Sequence, residues 1–144
     1  MSKNEGSNVP TKKLLVPIDG SGPALRALKW AGSIQNTAVL VLNVQPGMPR
    51  SRFVSKAMIA EHQQRGADEM LASARPVIKR LKLDVRTYRA IGDPAATIVA
   101  FAKKHRCDAI VMGSRGQGLI AASLLGSVAT KVVFLAQCPV TLVK

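Results

Sequence analysis

Short apolar runs alternate with longer segments of helical periodicity along the chain, and this alternation limits the folds that the chain can adopt. Five runs have the β-branched and aliphatic character of strands, and they cover residues 12–19, 38–44, 83–89, 107–112 and 139–143. The segments between them place apolar residues at helical spacing, over residues 22–35, 53–82, 93–106 and 117–137. The order βαβαβαβαβ predicts an α/β fold in which a five-stranded parallel sheet is sandwiched by helices.

Residues at the ends of these segments refine the prediction. Either Ser21 or Gly22 is expected to cap the first helix, and Asp93 is expected to cap the third. Pro76 falls inside the second helix, where we expect a kink or a restart. The alternation in residues 83–89 is typical of an edge strand with one face in water.

The 144-residue length favours one domain. We expect residues 1–11 to form a flexible tail and residues 12–144 to form the domain, because the first eleven residues are polar and contain no apolar core of a secretory signal. No apolar run approaches the ~20 residues needed to cross a bilayer. Two widely separated cysteines, Cys107 and Cys138, match no metal or redox motif, which favours a cytoplasmic location.

The balance of charge is unusual. Lys and Arg number 21 against 8 Asp and Glu, giving a formal net charge of +13. Such an excess raises the question of a polyanionic partner. Six cations fall within a short stretch, namely Arg75, Lys79, Arg80, Lys82, Arg86 and Arg89. Two interpretations stay open for them, a solvated surface or a docking site for nucleic acid, an anionic membrane or an acidic protein.

Ligands of open parallel sheets bind beyond the carboxyl ends of the strands. Asp19 follows the first strand, and Gly113 and Gly116 follow the fourth, where a missing Cβ lets backbone N–H groups approach a phosphate. Gly126 and Ser127 can start a further helical segment, whose N-terminus favours an anion. Turn geometry for the glycines and helix capping for Asp19 are the structural alternatives. No Walker A motif and no G-x-G-x-x-G are present, which argues against a P-loop enzyme and a dinucleotide-binding protein.

Three stretches carry a resemblance to a known family. The opening KKLLVPIDGSGPALRALKWA, the pattern Gly113-2x-Gly116-9x-Gly126-Ser127 and the terminal CPVTLV together resemble the universal stress protein family, from Lys12 to Val143. The glycine pattern is similar to that of the ATP-binding subclass. The resemblance implies a Rossmann-like sheet, similar to the adenine nucleotide alpha hydrolases, with strand order 3-2-1-4-5.

The family resemblance also implies a binding site for ATP, with Mg²⁺ accompanying it, or for AMP or another adenine nucleotide. The residues carried over for the adenosine side are Pro17, Ile18, Asp19, Val44, Met112 and Gly113. Those carried over for the phosphates are Arg115, Gly116, Gly126, Ser127 and Val128. The family further implies a homodimer that pairs through the last strand, at Val140, Thr141, Leu142 and Val143.

The function expected from the resemblance is a nucleotide-dependent sensor or regulator in a stress response. Two alternatives stay open, a weak ATP hydrolase and a basic adaptor that docks on a polyanion. We assign no catalytic residue and no metal ligand from the protein itself. A hydrolase needs a positioned base or a metal, and the two histidines, His62 and His105, follow no strand and are expected at the surface.

Overall fold

A computed structural model describes residues 12–116 and 125–144. Two predicted segments lie outside the described residues. They are the tail of residues 1–11 and residues 117–124, with which the last helical stretch was expected to begin. The strands are β1 (Lys12–Pro17), β2 (Thr37–Gln45), β3 (Asp84–Ile91), β4 (Ala109–Gly113) and β5 (Val140–Val143). The helices are α1 (Gly22–Gly32), α2 (Lys56–Arg80), α3 (Pro94–Lys104) and α4 (Ser127–Leu135).

The five strands form one parallel sheet in the order β3-β2-β1-β4-β5, as predicted. The central strand β1 pairs with β2 on one side, with Leu15 opposite Leu40, and with β4 on the other, with Leu15 opposite Ile110. Strand order reverses between β1 and β4, so the loops that follow these two strands diverge to opposite faces and leave a crevice between them.

Each face of the sheet carries its own hydrophobic core. One core packs α1 and α2 on the sheet and includes Val16, Leu28 and Val39. The other packs α3 and α4 on the opposite face and includes Leu15, Ile98 and Val132. Successive residues of β1 therefore serve different cores, because side chains of a strand alternate between the two faces. This double coverage explains the continuous apolar runs of the inner strands.

Helix starts follow local capping chemistry. The Ser21 hydroxyl accepts a hydrogen bond from the N–H of Ala24 at 3.3 Å, which selects Ser21 over Gly22 as the cap of α1. The Asp93 carboxylate accepts one from the N–H of Ala96 at 3.0 Å and caps α3, as predicted.

Helix boundaries differ from prediction at several points. Helix α1 ends at Gly32 rather than residue 35, α2 begins at Lys56 rather than residue 53, and α4 ends at Leu135 rather than residue 137. Of the kink or restart expected at Pro76, the restart is wrong, because α2 continues through Pro76 to Arg80. Pro76 is exposed, so water can bond the carbonyl that its missing N–H leaves without a partner, while Ala74 and Val77 hold the opposite side in the core.

No helix within residues 12–116 and 125–144 is long and apolar enough to cross a membrane.

Candidate functional site

A cavity of about 610 Å³ opens at the carboxyl ends of β1, β2 and β4, between their loops and the start of α4. Its lining includes every residue that the sequence predicted for the nucleotide: Pro17, Ile18, Asp19, Val44, Met112, Gly113, Arg115, Gly116, Gly126, Ser127 and Val128. Residues as much as 114 positions apart in the sequence meet there, and the volume lies within the range of small-molecule and cofactor sites.

Asp19 lies in a tight turn just after the C-terminal end of β1. Its Oδ1 accepts a hydrogen bond from the N–H of Ser21 at 2.9 Å, and Gly20 adopts a left-handed φ of 81° that completes the turn. The carboxylate also approaches the loop after β4, since a Cβ at Gly116 would lie 2.7 Å from Asp19 Oδ2. The loops after β1 and β4 are thus in contact at the cavity wall.

A buried amide holds the end of β1 in place. Asn43 is 2% exposed and donates from Nδ2 to the carbonyl of Ile18 at 2.7 Å. Its Oδ1 accepts from Nε2 of Gln45 at 2.7 Å. The backbone N–H of Ile18 in turn donates to the carbonyl of Leu42 at 2.8 Å. Asn43 therefore positions Ile18 and, through it, Asp19, a role that the sequence analysis missed. The signal was present as the single polar residue within the apolar run AVLVLNV.

Two glycines at the cavity, Gly113 and Gly116, lie close to other parts of the chain. A Cβ at Gly113 would lie 2.8 Å from the backbone nitrogen of Ala24 and 2.9 Å from the carbonyl carbon of Pro23. The missing side chain at Gly113 therefore allows α1 to pack against the end of β4, while its contact with the adenosine side of a nucleotide stays a prediction. At Gly116 a Cβ would instead meet the Asp19 side chain, so Gly116 shapes the cavity itself.

The N–H of Gly126 is already engaged, donating to the carbonyl of Ser114 at 2.7 Å. This bond shows that Gly126 joins the start of α4 to the loop after β4, and contact of Gly126 with a phosphate stays a prediction. The first bond within α4 runs from the N–H of Thr130 to the carbonyl of Gly126 at 2.9 Å. The N–H groups of Ser127, Val128 and Ala129 precede that bond and have no partner inside the helix.

Positive charge lines this part of the cavity. Arg115 comes from the loop after β4, and Lys131 comes from the first turns of α4, four residues after Ser127 and thus on the same side of the helix. The N-terminal end of the α4 dipole adds a partial positive charge. Within the described residues the only carboxylate in the lining is Asp19. The arrangement can hold an anion beside α4 and offer a polar acceptor beside β1.

The remaining lining residues were not predicted from the sequence. They are Ala24, Leu42, Pro94, Ile98, Leu125, Ala129, Thr130 and Lys131. Lys131 and Thr130 could have been found from their spacing to Ser127. Pro94 and Ile98 line the cavity because α3 crosses over the sheet beside it, and this position of α3 follows only from the strand order.

The two histidines lie away from the cavity. His62 is exposed on α2, whereas His105 is half-buried in an aromatic group, with its ring stacked on Phe101 at 4.0 Å between centroids and tilted against Tyr88 at 5.3 Å. The expectation of a surface position thus holds for His62, while His105 belongs partly to the packing. In the part of the chain described, no group of three or more His, Cys, Asp or Glu side chains could hold a metal.

The cluster of six cations is divided by the sheet. Arg86 lines a groove with Tyr88 and His105 on the α3 face, whereas Arg89 forms an ion pair with Asp68 of α2 on the other face. Side chains three positions apart on a strand point in opposite directions. Arg75, Lys79 and Arg80 lie on α2. A single docking surface formed by all six residues is therefore not supported by the geometry.

Burial raises the pKa of the Cys107 thiol from its ordinary value of 9.0 to about 11. Burial disfavours the thiolate because the charge loses its hydration, and this effect outweighs the attraction of the nearby positive charge of Lys13. Cys138 is half-buried close by, and both cysteines are free thiols.

Fold and cavity together define an α/β domain with a cavity at the carboxyl ends of its parallel strands, at the reversal of strand order, where ligands of open α/β sheets bind. The sequence profile described as the universal stress protein family matches residues 10–144, so the chain belongs to that family.

Known proteins of the family are similar over most of their length. Universal stress protein MJ0531 of Methanocaldococcus jannaschii is 36% identical over 139 residues, which covers 92% of this chain and 82% of the relative. The universal stress protein from Archaeoglobus fulgidus in complex with dAMP has 27% identity and a TM-score of 0.69, covering 94% of this chain and all of that one. A universal stress protein in complex with cAMP has 26% identity and a TM-score of 0.71, covering 92% of this chain and 97% of the other.

Proposed function

We propose that this protein binds an adenine nucleotide, ATP in the first place, in the cavity between β1 and β4, and acts as a nucleotide-dependent regulator in a stress response. The observation that carries the proposal is the convergence of eleven residues, selected from sequence alone, on one cavity of suitable volume. Relatives solved with dAMP and with cAMP support the adenine part of the ligand.

The cavity has chemistry for both ends of such a ligand. Apolar side chains of Ile18, Val44 and Met112 suit a flat base, and Asp19 can accept hydrogen bonds from ribose hydroxyls or an amino group. The first turn of α4, with Arg115 and Lys131, suits phosphates. Since Asp19 is the one carboxylate among the described lining residues, Mg²⁺ would enter with the nucleotide, held chiefly by its phosphates.

Binding rather than turnover is the proposed activity. Hydrolysis requires a base or a metal that activates water near the last phosphate. Asp19 lies at the β1 side of the cavity, with Oδ1 accepting from Ser21, and neither histidine lines the cavity. We propose that bound ATP joins the loops after β1 and β4 and thereby alters a surface that a partner recognises.

The assembly proposed is a homodimer formed through β5. In β5, the N–H and C=O groups of Thr141 point toward β4, because Ile110 donates to the carbonyl of Pro139 and Ser114 donates to that of Val143. The backbone groups of Val140 and Leu142 consequently point outward, where a second copy can pair with them. A single domain over residues 12–144 and a cytoplasmic location, consistent with two free thiols, complete the proposal.

Thermal unfolding with and without ATP–Mg²⁺ at constant ionic strength tests the nucleotide site, with inorganic triphosphate as the polyanion control. A ligand at 100 times its Kd adds ~2.7 kcal/mol to the folded state, a shift of several degrees. We expect ATP to shift the midpoint and triphosphate to shift it much less. Equal shifts would assign binding to the net charge, and no shift with ATP would reject the site. AMP in the same assay reports whether the cavity selects one phosphate or three, and cAMP reports whether it accepts a cyclic phosphodiester.

A further inference from the structure

A turn between β2 and α2 projects an aromatic side chain into solvent. Residues 46–53 are all exposed, and a bridge between Ser51 and Val54 closes a turn with Arg52 and Phe53 at its tip. The N–H of Val54 donates to the carbonyl of Ser51 at 3.4 Å. Phe53 is 89% exposed.

The surroundings of Phe53 combine apolar and cationic side chains. Met48 and Met58 are 41% and 56% exposed on either side of the turn. Arg50, Arg52 and Lys56 are exposed among them. No acidic residue occurs in the sequence between Asp19 and Glu61, so these cations have no carboxylate within their own segment. We call the segment Met48–Met58 the basic apolar turn.

We propose that the basic apolar turn docks on the surface of an anionic phospholipid bilayer, with Phe53 inserted among the lipids and the three cations at the phosphate level. Interfacial binding requires this combination, an apolar wedge together with positive charge, and is weak and reversible when each contribution is small. The basic apolar turn begins three residues after Gln45, the last residue of β2, and four residues after Val44 of the cavity, so docking would place the cavity edge of the sheet near the bilayer.

The side chains favour lipid over the other polyanions. Single-stranded nucleic acid is held by several aromatic platforms, and this segment has only Phe53, accompanied by two methionines that offer neither stacking nor hydrogen bonds to bases. A folded protein partner would need a matching pocket for a protruding turn, whereas a bilayer accommodates a protruding side chain of any shape. The cations add attraction to phosphatidylserine within roughly a Debye length of the surface.

Co-sedimentation of the full chain with vesicles tests the proposal. One vesicle contains phosphatidylcholine alone, and the other contains phosphatidylcholine with about a third phosphatidylserine. The test variants are Phe53→Ser and the double variant Arg50→Gln with Arg52→Gln. Their matched controls are Phe134→Ser, which removes a phenylalanine that is 90% exposed on α4, and Arg75→Gln with Arg80→Gln on α2.

We expect the wild-type protein to bind the phosphatidylserine vesicles about ten-fold more tightly than the neutral ones, and less tightly as salt rises. Each test variant should lose about five-fold or more in binding, while the controls change less than about two-fold and all variants unfold at the same temperature. No binding to either vesicle, or equal losses in the test and control variants, would overturn the proposal. A single-stranded oligonucleotide that binds with the same dependence on Arg50, Arg52 and Phe53 would reassign the turn to nucleic acid.

Discussion

Asn43 illustrates how a single residue controls the geometry of this cavity. It stands where the apolar run of β2 would place another aliphatic side chain, and it donates to the carbonyl of Ile18, which is next to Asp19 and three residues before Ser21. A buried amide is stable here because both of its ends are bonded, one to a carbonyl and one to Gln45.

Asn43→Leu should therefore lower both stability and ligand binding. The substitution keeps the branched shape of the side chain but leaves the carbonyl of Ile18 without its side-chain donor, so the free energy of unfolding should fall by about 1–3 kcal/mol. Urea unfolding measures this loss, and nucleotide binding at a temperature where the variant is folded measures the displacement of Asp19. An unchanged midpoint together with wild-type affinity would show that Asn43 has no positioning role.

Gly116→Ala should weaken nucleotide binding with little effect on folding. The new Cβ would lie 2.7 Å from Asp19 Oδ2, which is the mobile end of a side chain, so the carboxylate can move at small cost but leaves its position at the cavity wall. Gly47→Ala is the matched control, because nothing lies within 4 Å of a Cβ at that position. We expect about a ten-fold loss of affinity, or 1.4 kcal/mol, for Gly116→Ala alone, measured by calorimetry. Similar affinities in the two variants would contradict the placement of Asp19 at the ligand.

At the scale of the secondary-structure elements, the edges of the sheet are the most informative. Strand β3 ends the sheet on one side with alternating exposed and half-buried residues, and its cations fall on both faces. Strand β5 ends the other side with only four residues, of which Leu142 is 36% exposed. A short apolar edge with outward backbone groups is suited to pairing with another strand.

Proline substitutions in β5 separate pairing between copies from pairing within the sheet. Leu142→Pro removes an N–H that points away from β4, so the fold should persist while the proposed dimer dissociates, as measured by sedimentation equilibrium. Thr141→Pro removes an N–H that points toward β4 and should destabilise the domain by about 1–3 kcal/mol. If the Leu142→Pro protein keeps the wild-type mass in solution, β5 is not the dimer interface.

At the scale of the whole molecule, the buried thiol of Cys107 should make the free energy of unfolding depend on pH in the alkaline range. The pKa of Cys107 is raised to about 11 in the folded protein, above its ordinary 9.0. Between these values the unfolded chain ionises its thiol and the folded chain does not, so the free energy of unfolding falls as pH rises from about 9 to about 11. Below pH 9 both states hold the proton and the thiol contributes no slope.

Cys107→Ala provides the comparison, because other groups titrate in the same range and the net charge of +13 declines there too. Chemical denaturation should give a difference in unfolding free energy between wild type and variant that is constant below pH 9. Above pH 9 the wild type should lose stability relative to the variant. A difference that is independent of pH throughout would mean that Cys107 is accessible to water.

The sequence by itself determined the order of the elements, and its glycine pattern and strand ends identified the residues of the cavity. These features are local, since burial on both sides makes an inner strand continuously apolar and a helix start needs a capping side chain such as Asp93. Likewise, the family resemblance that implied the strand order depends on short sequence motifs, which can be recognised without knowledge of the packing.

Only the tertiary structure decided what each glycine accommodates and which cations share a face. Gly113 meets α1, Gly116 meets Asp19, and Gly126 bonds Ser114, although the three are alike in sequence. Arg86 and Arg89 are close in sequence but lie on opposite sides of the sheet. The physical reason is that a side chain's neighbours come from strands and helices distant in the chain, and their approach is fixed only when both hydrophobic cores close on the sheet.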